Sequence, residues 1–81
     1  MYADKNHGEN IGMEYQKRIR DLREDHDKTQ TEIAQVLGTS QTMYARYERG
    51  ASELPIRHLL RLADYYGVTT DYLLCRTEKM K

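Results

Sequence analysis

The sequence has a single cysteine, Cys75, and no long apolar run. One cysteine cannot form an internal disulfide, so nothing in the sequence requires an oxidising compartment. The lack of an apolar run excludes a membrane-spanning helix, and the N-terminus lacks the apolar core of a signal peptide. We therefore expect a cytoplasmic protein that does not associate with a membrane.

The sequence also lacks a net charge, because 13 basic residues balance 13 acidic ones. This balance argues against nucleic-acid binding at first, but the distribution of charge matters more than its sum. Residues 28–61 carry five basic and three acidic side chains, whereas residues 14–27 carry four basic and five acidic ones. The mild asymmetry permits DNA binding without demonstrating it.

Patterns typical of catalysis or metal binding are absent as well. The sequence has no nucleophile–base pair, phosphate-binding loop or pair of catalytic carboxylates at interpretable spacing, so we expect no enzyme, no catalytic residue and no cofactor. His7, His26, His58 and Cys75 do not have the spacing of a zinc site, so we expect no metal ion.

The 81 residues suffice for one domain with one core. Residues 1–12 are polar and lack periodicity, which predicts a disordered tail; the domain is expected over residues 13–75, followed by a polar C-terminal tail over residues 76–81. Strand signals are absent. We therefore predict an all-α fold, a compact five-helix bundle.

Apolar residues at helical spacing predict the five helices. Their expected ranges are residues 14–25, 30–37, 41–49, from 55 to about 66, and 70–74. Thr29 with Glu32 predicts a capping box, and Ser40 is the expected N-cap of the third helix. The expected core consists of the apolar inner faces: Ile19, Leu22, Ile33, Ala34, Leu37, Tyr47, Leu59, Leu62, Ala63, Tyr66 and Leu73.

The segment from Thr29 to Gly50, TQTEIAQVLGTSQTMYARYERG, contains two short helices joined by a three-residue turn with a glycine. This is the layout of a helix-turn-helix. Ala34 is small at the position where the second helix of the pair must approach closely. The segment therefore predicts a pair of tightly packed helices.

Nearly all of residues 18–74 resembles the Cro and phage-repressor family, also called the XRE family. RIRDLRED resembles the first helix of that family, TQTEIAQVLG the second, SQTMYARYERG the recognition helix, and LLRLADYYGVTTDYLL the fourth and fifth. The resemblance implies a lambda-repressor-like DNA-binding domain of a bacterial or phage transcriptional repressor or regulator. Lys28 and Tyr44 depart from the family pattern, which predicts a looser loop at Lys28 and either a rearranged core or a partly exposed ring at Tyr44.

Helix geometry and the resemblance together predict which residues contact the bases of double-stranded DNA. A helix in the major groove reads base edges with the residues near its N-terminal end. Gln41, Thr42 and Arg46 are therefore expected to contact bases.

Other residues are expected to position the protein on the DNA or to stabilise it. Gln30, Ser40 and Arg49 are expected to contact phosphates, because Gln30 and Arg49 match backbone-contacting positions of the family. The resemblance also implies a structural ion pair between Arg23 and Glu48.

One recognition helix reads too few base pairs to select a site in a genome. We therefore expect a homodimer on an inverted-repeat operator, with Tyr72, Leu73 and Leu74 in part of its interface. The alternative function is a protein-interaction module, or an antitoxin-type partner, that keeps the bundle with weak or no DNA binding. The neutral net charge favours this alternative, whereas the polar start of the third helix lacks the apolar anchors of a protein-docking face.

Overall fold

Helices account for all the regular secondary structure in the part of the chain that the structure describes. The computed structural model describes the backbone of residues 5–81 and the side chains of residues 15–81. Over this range it contains five helices and no strand: α1 (Lys5–Asp25), α2 (Gln30–Leu37), α3 (Gln41–Arg49), α4 (Ile56–Tyr66) and α5 (Thr70–Leu73). The predicted all-α fold with a helix-turn-helix is confirmed. None of these helices is both long and apolar enough to cross a membrane.

α2 and α3 begin and end where their capping residues predict. Thr29 Oγ1 accepts a hydrogen bond from the Glu32 amide at 3.0 Å, and Glu32 Oε1 accepts one from the Thr29 amide at 2.8 Å, which completes the capping box. Ser40 Oγ accepts from the Met43 amide at 3.0 Å. Gly38 ends α2 in the left-handed conformation, with φ of 72°. Local sequence therefore sets the start of both helices of the pair.

The other helices differ from the expected ranges. α1 begins at Lys5 instead of residue 14, while residues 1–4 lie outside the described residues. The disordered tail stays a prediction. Pro55 is the N-cap of α4 instead of its first residue, and α5 ends one residue early, at Leu73. A domain boundary at residue 13 stays a prediction.

The C-terminal residues lie against α1 and α5. Arg18 Nη1 donates to the Tyr72 carbonyl at 2.9 Å, and Nη2 lies 3.2 Å from Glu78 Oε1. The Arg18 guanidinium also stacks on the Tyr72 ring, 4.1 Å from its centre. The Thr69 amide donates to the Met80 carbonyl at 2.9 Å. Arg18 and the Thr69–Met80 hydrogen bond thus join the polar tail to the bundle.

The core forms one cluster that includes every residue predicted for it. Leu59 and Tyr66 pack at its edge half-buried, and the others are buried. Tyr44 belongs to the core as well and is fully buried, so the expectation of a partly exposed ring is wrong. Its ring meets that of Tyr47 edge-on, with centroids 6.3 Å apart. Leu73 is fully buried too, which corrects its assignment to a dimer interface because it offers no surface to a partner.

Gly50→Ala is expected to destabilise the fold more than Gly67→Ala. Both glycines have a positive φ, which costs a residue with a Cβ roughly 1–2 kcal/mol. A Cβ at Gly50 would lie 2.8 Å from Gln16 Oε1, whereas one at Gly67 would meet nothing within 4 Å. Crowding should add up to about 1 kcal/mol at Gly50, measured by urea unfolding. In a Gln16→Ala background, Gly50→Ala and Gly67→Ala should lower the free energy of unfolding equally. If they did so with Gln16 present, Gln16 would not be the source of the crowding.

Candidate nucleic-acid interface

α3 has a polar outer side and a buried inner side. Each residue of a helix advances by about 100°, so Gln41, Ala45 and Arg49 lie along one line, with Thr42 and Arg46 beside it. Gln41, Thr42 and Arg49 are exposed. The buried residues of α3 are Tyr44, Tyr47 and Glu48. The two tyrosines face the core, whereas Glu48, seven residues after Gln41, lies at the border of the outer side. α3 therefore presents its polar side chains to solvent while its aromatic residues hold it in the bundle.

The turn between α2 and α3 is anchored by hydrogen bonds of the main chain. Gly38 donates its amide to the Gln35 carbonyl at 3.2 Å, and the Thr39 amide donates to the Ala34 carbonyl at 2.9 Å. Ala34 is almost completely buried, as expected where two helices pack closely. These contacts fix the direction in which the chain leaves α2 towards α3.

Arg23 and Glu48 form a bidentate ion pair. Arg23 Nε lies 2.7 Å from Glu48 Oε2, and Nη2 lies 3.1 Å from Oε1. The Arg23 and Glu48 side chains are 13% and 3% exposed. Arg23 Nη1 also donates to the Lys28 carbonyl at 2.9 Å. The pair therefore joins α1, the loop between α1 and α2, and the end of α3, and it places the family-implied partners in direct contact.

The charges of this pair shift the pKa values of both partners. Burial on its own would raise the pKa of Glu48, but the neighbouring side chains of Arg23, then Tyr44 and then Gln30 bring it below its ordinary value. The hydrogen bond to Glu48 raises the pKa of Arg23. Glu48 is therefore ionised at neutral pH, and an ionised carboxylate can only accept hydrogen bonds.

Gln30 and Gln41 extend this contact to the outer side of α3. Gln30 Nε2 donates to Glu48 Oε1 at 3.0 Å, and Gln41 Nε2 donates to Gln30 Oε1 at 2.7 Å. A continuous chain of hydrogen bonds thus runs from Arg23 to Gln41 across three helices. The sequence pattern predicts different kinds of DNA contact for the two glutamines and does not reveal their mutual bond. Gln30 and Gln41 are the first residues of α2 and α3, and this shared position is the sequence feature that could have indicated their contact.

Arg46 is oriented differently from Gln41. It is half-buried, with Nε donating to Ser52 Oγ at 3.0 Å and Nη2 directed to the Ala51 carbonyl at 3.3 Å. The loop after α3 thus holds its guanidinium at the edge of the outer side. The sequence pattern predicts neither the Ser52 contact nor a role for Ala45, whose position one turn after Gln41 puts it on the outer side.

No group of three or more His, Cys, Asp and Glu side chains capable of holding a metal ion occurs among the described residues. Of the residues considered in sequence analysis for such a site, His7 lies outside the described side chains. His58 is buried, and its ring packs against that of Tyr47 with centroids 5.7 Å apart. Burial lowers the pKa of His58, and the nearby charge of Arg57 lowers it further.

A family model described as helix-turn-helix matches residues 19–73. The HTH-type transcriptional regulator ImmR of Bacillus subtilis (strain 168) is 35% identical over 65 residues, which cover 80% of this chain and 51% of that protein. The cryptic phage CTXphi transcriptional repressor RstR of Vibrio cholerae is 33% identical over 64 residues, covering 79% and 58%. The chain thus spans little more than half the length of these curated relatives. No solved structure matches it.

Removing one partner of the Arg23–Glu48 pair should destabilise the fold more than replacing both. Arg23→Met or Glu48→Met leaves a buried charge without its partner, and such a loss costs about 3–5 kcal/mol. The double variant leaves no buried charge and should recover part of that cost. Urea unfolding of the four proteins gives the coupling energy. No coupling would mean that the two side chains contribute independently.

Proposed function

The chain belongs to the helix-turn-helix family whose model matches residues 19–73, and we propose that it binds double-stranded DNA sequence-specifically and represses transcription. The observation that carries this proposal is the polar outer side of α3, whose exposed Gln41 and Thr42 stand at the start of a helix anchored in the bundle. The names of ImmR and RstR, a transcriptional regulator and a transcriptional repressor, support the same role. The proposed role is binding, without catalysis and without a cofactor.

In this proposal α3 enters the major groove and reads bases with three side chains. Gln41 can form a bidentate pair with adenine, and Arg46 can form one with guanine. Arg46 would use the donors that its bonds to Ser52 and Ala51 leave available. Thr42 can bond to a base edge, and the Ala45 methyl lies where it can touch a thymine methyl. These contacts would supply the sequence preference.

Contacts with phosphates would position α3 in the groove. The capping box uses the amides of Thr29 and Glu32, which leaves those of Gln30 and Thr31 in the first turn of α2 to face a phosphate. We assign further phosphate contacts to the Gln30 side chain, to the Ser40 hydroxyl and to exposed Arg49. Ser40 Oγ accepts a bond as an N-cap, so its hydrogen remains available to a phosphate oxygen.

We further propose that two copies bind an inverted-repeat operator as a homodimer. Ile56 and Leu60, one turn apart on α4, are 74% and 52% exposed, which is unusual for large aliphatic side chains. Ile56 also lines a groove beside α4 together with Leu59 and Leu74. A second copy placed on this side would cover apolar surface next to the loop that follows α3.

Substitutions in α3 should separate sequence preference from general affinity. Arg46→Ala should weaken binding to the preferred site by about 1–3 kcal/mol and relax the preference at one base pair, and Gln41→Ala should act in the same way at a neighbouring pair. Arg49→Ala removes the same charge as Arg46→Ala but should weaken binding to all sequences alike and lower the salt slope by about one. Selection of bound sequences, with affinities at several salt concentrations, measures these effects.

Arg20→Ala is the matched control, since it removes one exposed positive charge from α1, outside the proposed contacts. It should change neither preference nor affinity appreciably. If Arg46→Ala and Gln41→Ala also left preference and affinity unchanged, α3 would not be the recognition helix. The bundle would then serve as a protein-interaction module.

Footprinting on the selected DNA should protect two half-sites related by inversion, with centres one helical turn, about 34 Å, apart. Leu60→Glu should weaken binding to this two-site DNA while leaving binding to a single half-site unchanged, because it places a charge on the apolar surface of α4. Protection of one asymmetric half-site at full occupancy would contradict the homodimer.

A further inference from the structure

We propose that Glu48, although buried, determines which end of the Gln41 amide faces each group of the base that Gln41 reads. Glu48 would then be a residue that sets specificity by positioning another, in addition to its part in the ion pair. This inference rests on the proposed function, because it concerns the base contact of Gln41.

The direction of the hydrogen bonds starts at the carboxylate. Glu48 can only accept, so the neighbouring group of Gln30 has to be its Nε2, which lies 3.0 Å from Glu48 Oε1. The other end of the same amide, Gln30 Oε1, therefore faces Gln41. Since this oxygen can only accept, Gln41 must present its Nε2, at 2.7 Å. One negative charge thus orients two successive amides.

The orientation of the Gln41 amide decides which base it fits. One hydrogen of Gln41 Nε2 is used by Gln30, and the second hydrogen remains beside Oε1 as an adjacent donor and acceptor. Adenine presents an N7 acceptor and an N6 donor in a fixed order along the major groove. An inverted amide would offer the same two groups in the opposite order. Adenine in that position would then meet acceptor against acceptor and donor against donor.

Packing alone does not select this orientation, because the oxygen and nitrogen ends of a glutamine amide are nearly alike in shape and differ only in their hydrogen-bonding roles. A hydrogen bond to a charged acceptor is stronger than one between neutral groups. The Gln30–Glu48 bond therefore favours one orientation of the Gln30 amide, and through it one orientation of the Gln41 amide. Arg23 holds both oxygens of the carboxylate, and the Glu48 side chain is 3% exposed, which prevents Glu48 from turning towards water.

Glu48→Gln tests the inference, because it keeps the shape of the side chain and adds a donor. Gln30 can then bond residue 48 through either end of its amide, and Gln41 can adopt both orientations. In a selection from random DNA, the wild-type protein should favour one base at the Gln41 position by roughly 5–150-fold over the others. Glu48→Gln should reduce this ratio at least about fivefold at that base pair and leave the other positions unchanged.

Two further variants separate orientation from stability. Gln30→Leu breaks the chain between Glu48 and Gln41 and should weaken the preference at the same base pair. Leu62→Ala removes a fully buried side chain on α4 and should lower stability without altering preference at any position. All variants are measured at a temperature where circular dichroism shows native helix content. A Glu48→Gln protein that binds with the wild-type preference, or one that loses preference equally at all positions, would overturn the inference.

A measurement on the free protein distinguishes failure of this inference from failure of the proposed function. In wild-type protein, the side-chain NH2 group of Gln41 should show a scalar coupling across its hydrogen bond to Gln30 in NMR spectra. Glu48→Gln should reduce this coupling or produce a second set of Gln41 signals. If the wild-type protein selects no DNA sequence but these spectral changes occur, the proposed function fails and the orientation by Glu48 stands. Unchanged Gln41 signals in Glu48→Gln would overturn the inference whatever the DNA result.

Discussion

The buried ion pair between Arg23 and Glu48 is the contact on which the arrangement of the first three helices depends. Removing two charges from water carries a large desolvation cost, which close geometry and further hydrogen bonds must offset. Both conditions hold here, since the pair is bidentate, the Lys28 carbonyl accepts from Arg23, and Gln30 donates to Glu48. The pair therefore does more than join two helices: it holds the end of α3 and the start of α2 together against α1.

α3 depends on this environment because it is short. A helix of nine residues is marginal in isolation, and most helical stability in proteins comes from packing of an apolar face. Tyr44 and Tyr47 supply that face, and Ser40 and Gly50 cap the ends of the helix. Because two buried rings occupy the inner side and the buried carboxylate of Glu48 lies at its border, the other polar residues are left on the outer side. The same packing that stabilises α3 thus creates its candidate DNA-binding surface.

The side chains proposed to read bases are held to different degrees before any DNA is bound. Gln41 is oriented by a chain of hydrogen bonds that ends at a charge, and Arg46 is held by the loop at Ser52. Ordering a long side chain during binding costs free energy, so a side chain already held in place loses less. Arg46 keeps this advantage only if it can contact a base without breaking its hydrogen bonds to Ser52 and Ala51. Gln41 and Arg46 would therefore contribute to specificity in different ways, although both lie on α3.

The sequence by itself determined the helix pair, because the signals for it are local. Thr29, Glu32 and Ser40 cap helices through their own neighbours, and Gly38 adopts a left-handed conformation that its lack of a Cβ permits. The apolar spacing of α2 and α4 likewise indicated the core. The candidate base-contacting residues followed from their places in the motif, but their contacts with the rest of the protein did not.

Only the tertiary structure decided how distant segments meet. Tyr44 is buried because the bundle provides a space for its ring, which its position in α3 does not reveal. The contact of Arg18 with the C-terminal residues and the bond between Gln30 and Gln41 join positions far apart in the chain or in separate helices. Neither a periodic pattern nor a local capping residue in the sequence indicates such contacts. They depend on the angles and distances between packed helices, which are set by the core as a whole.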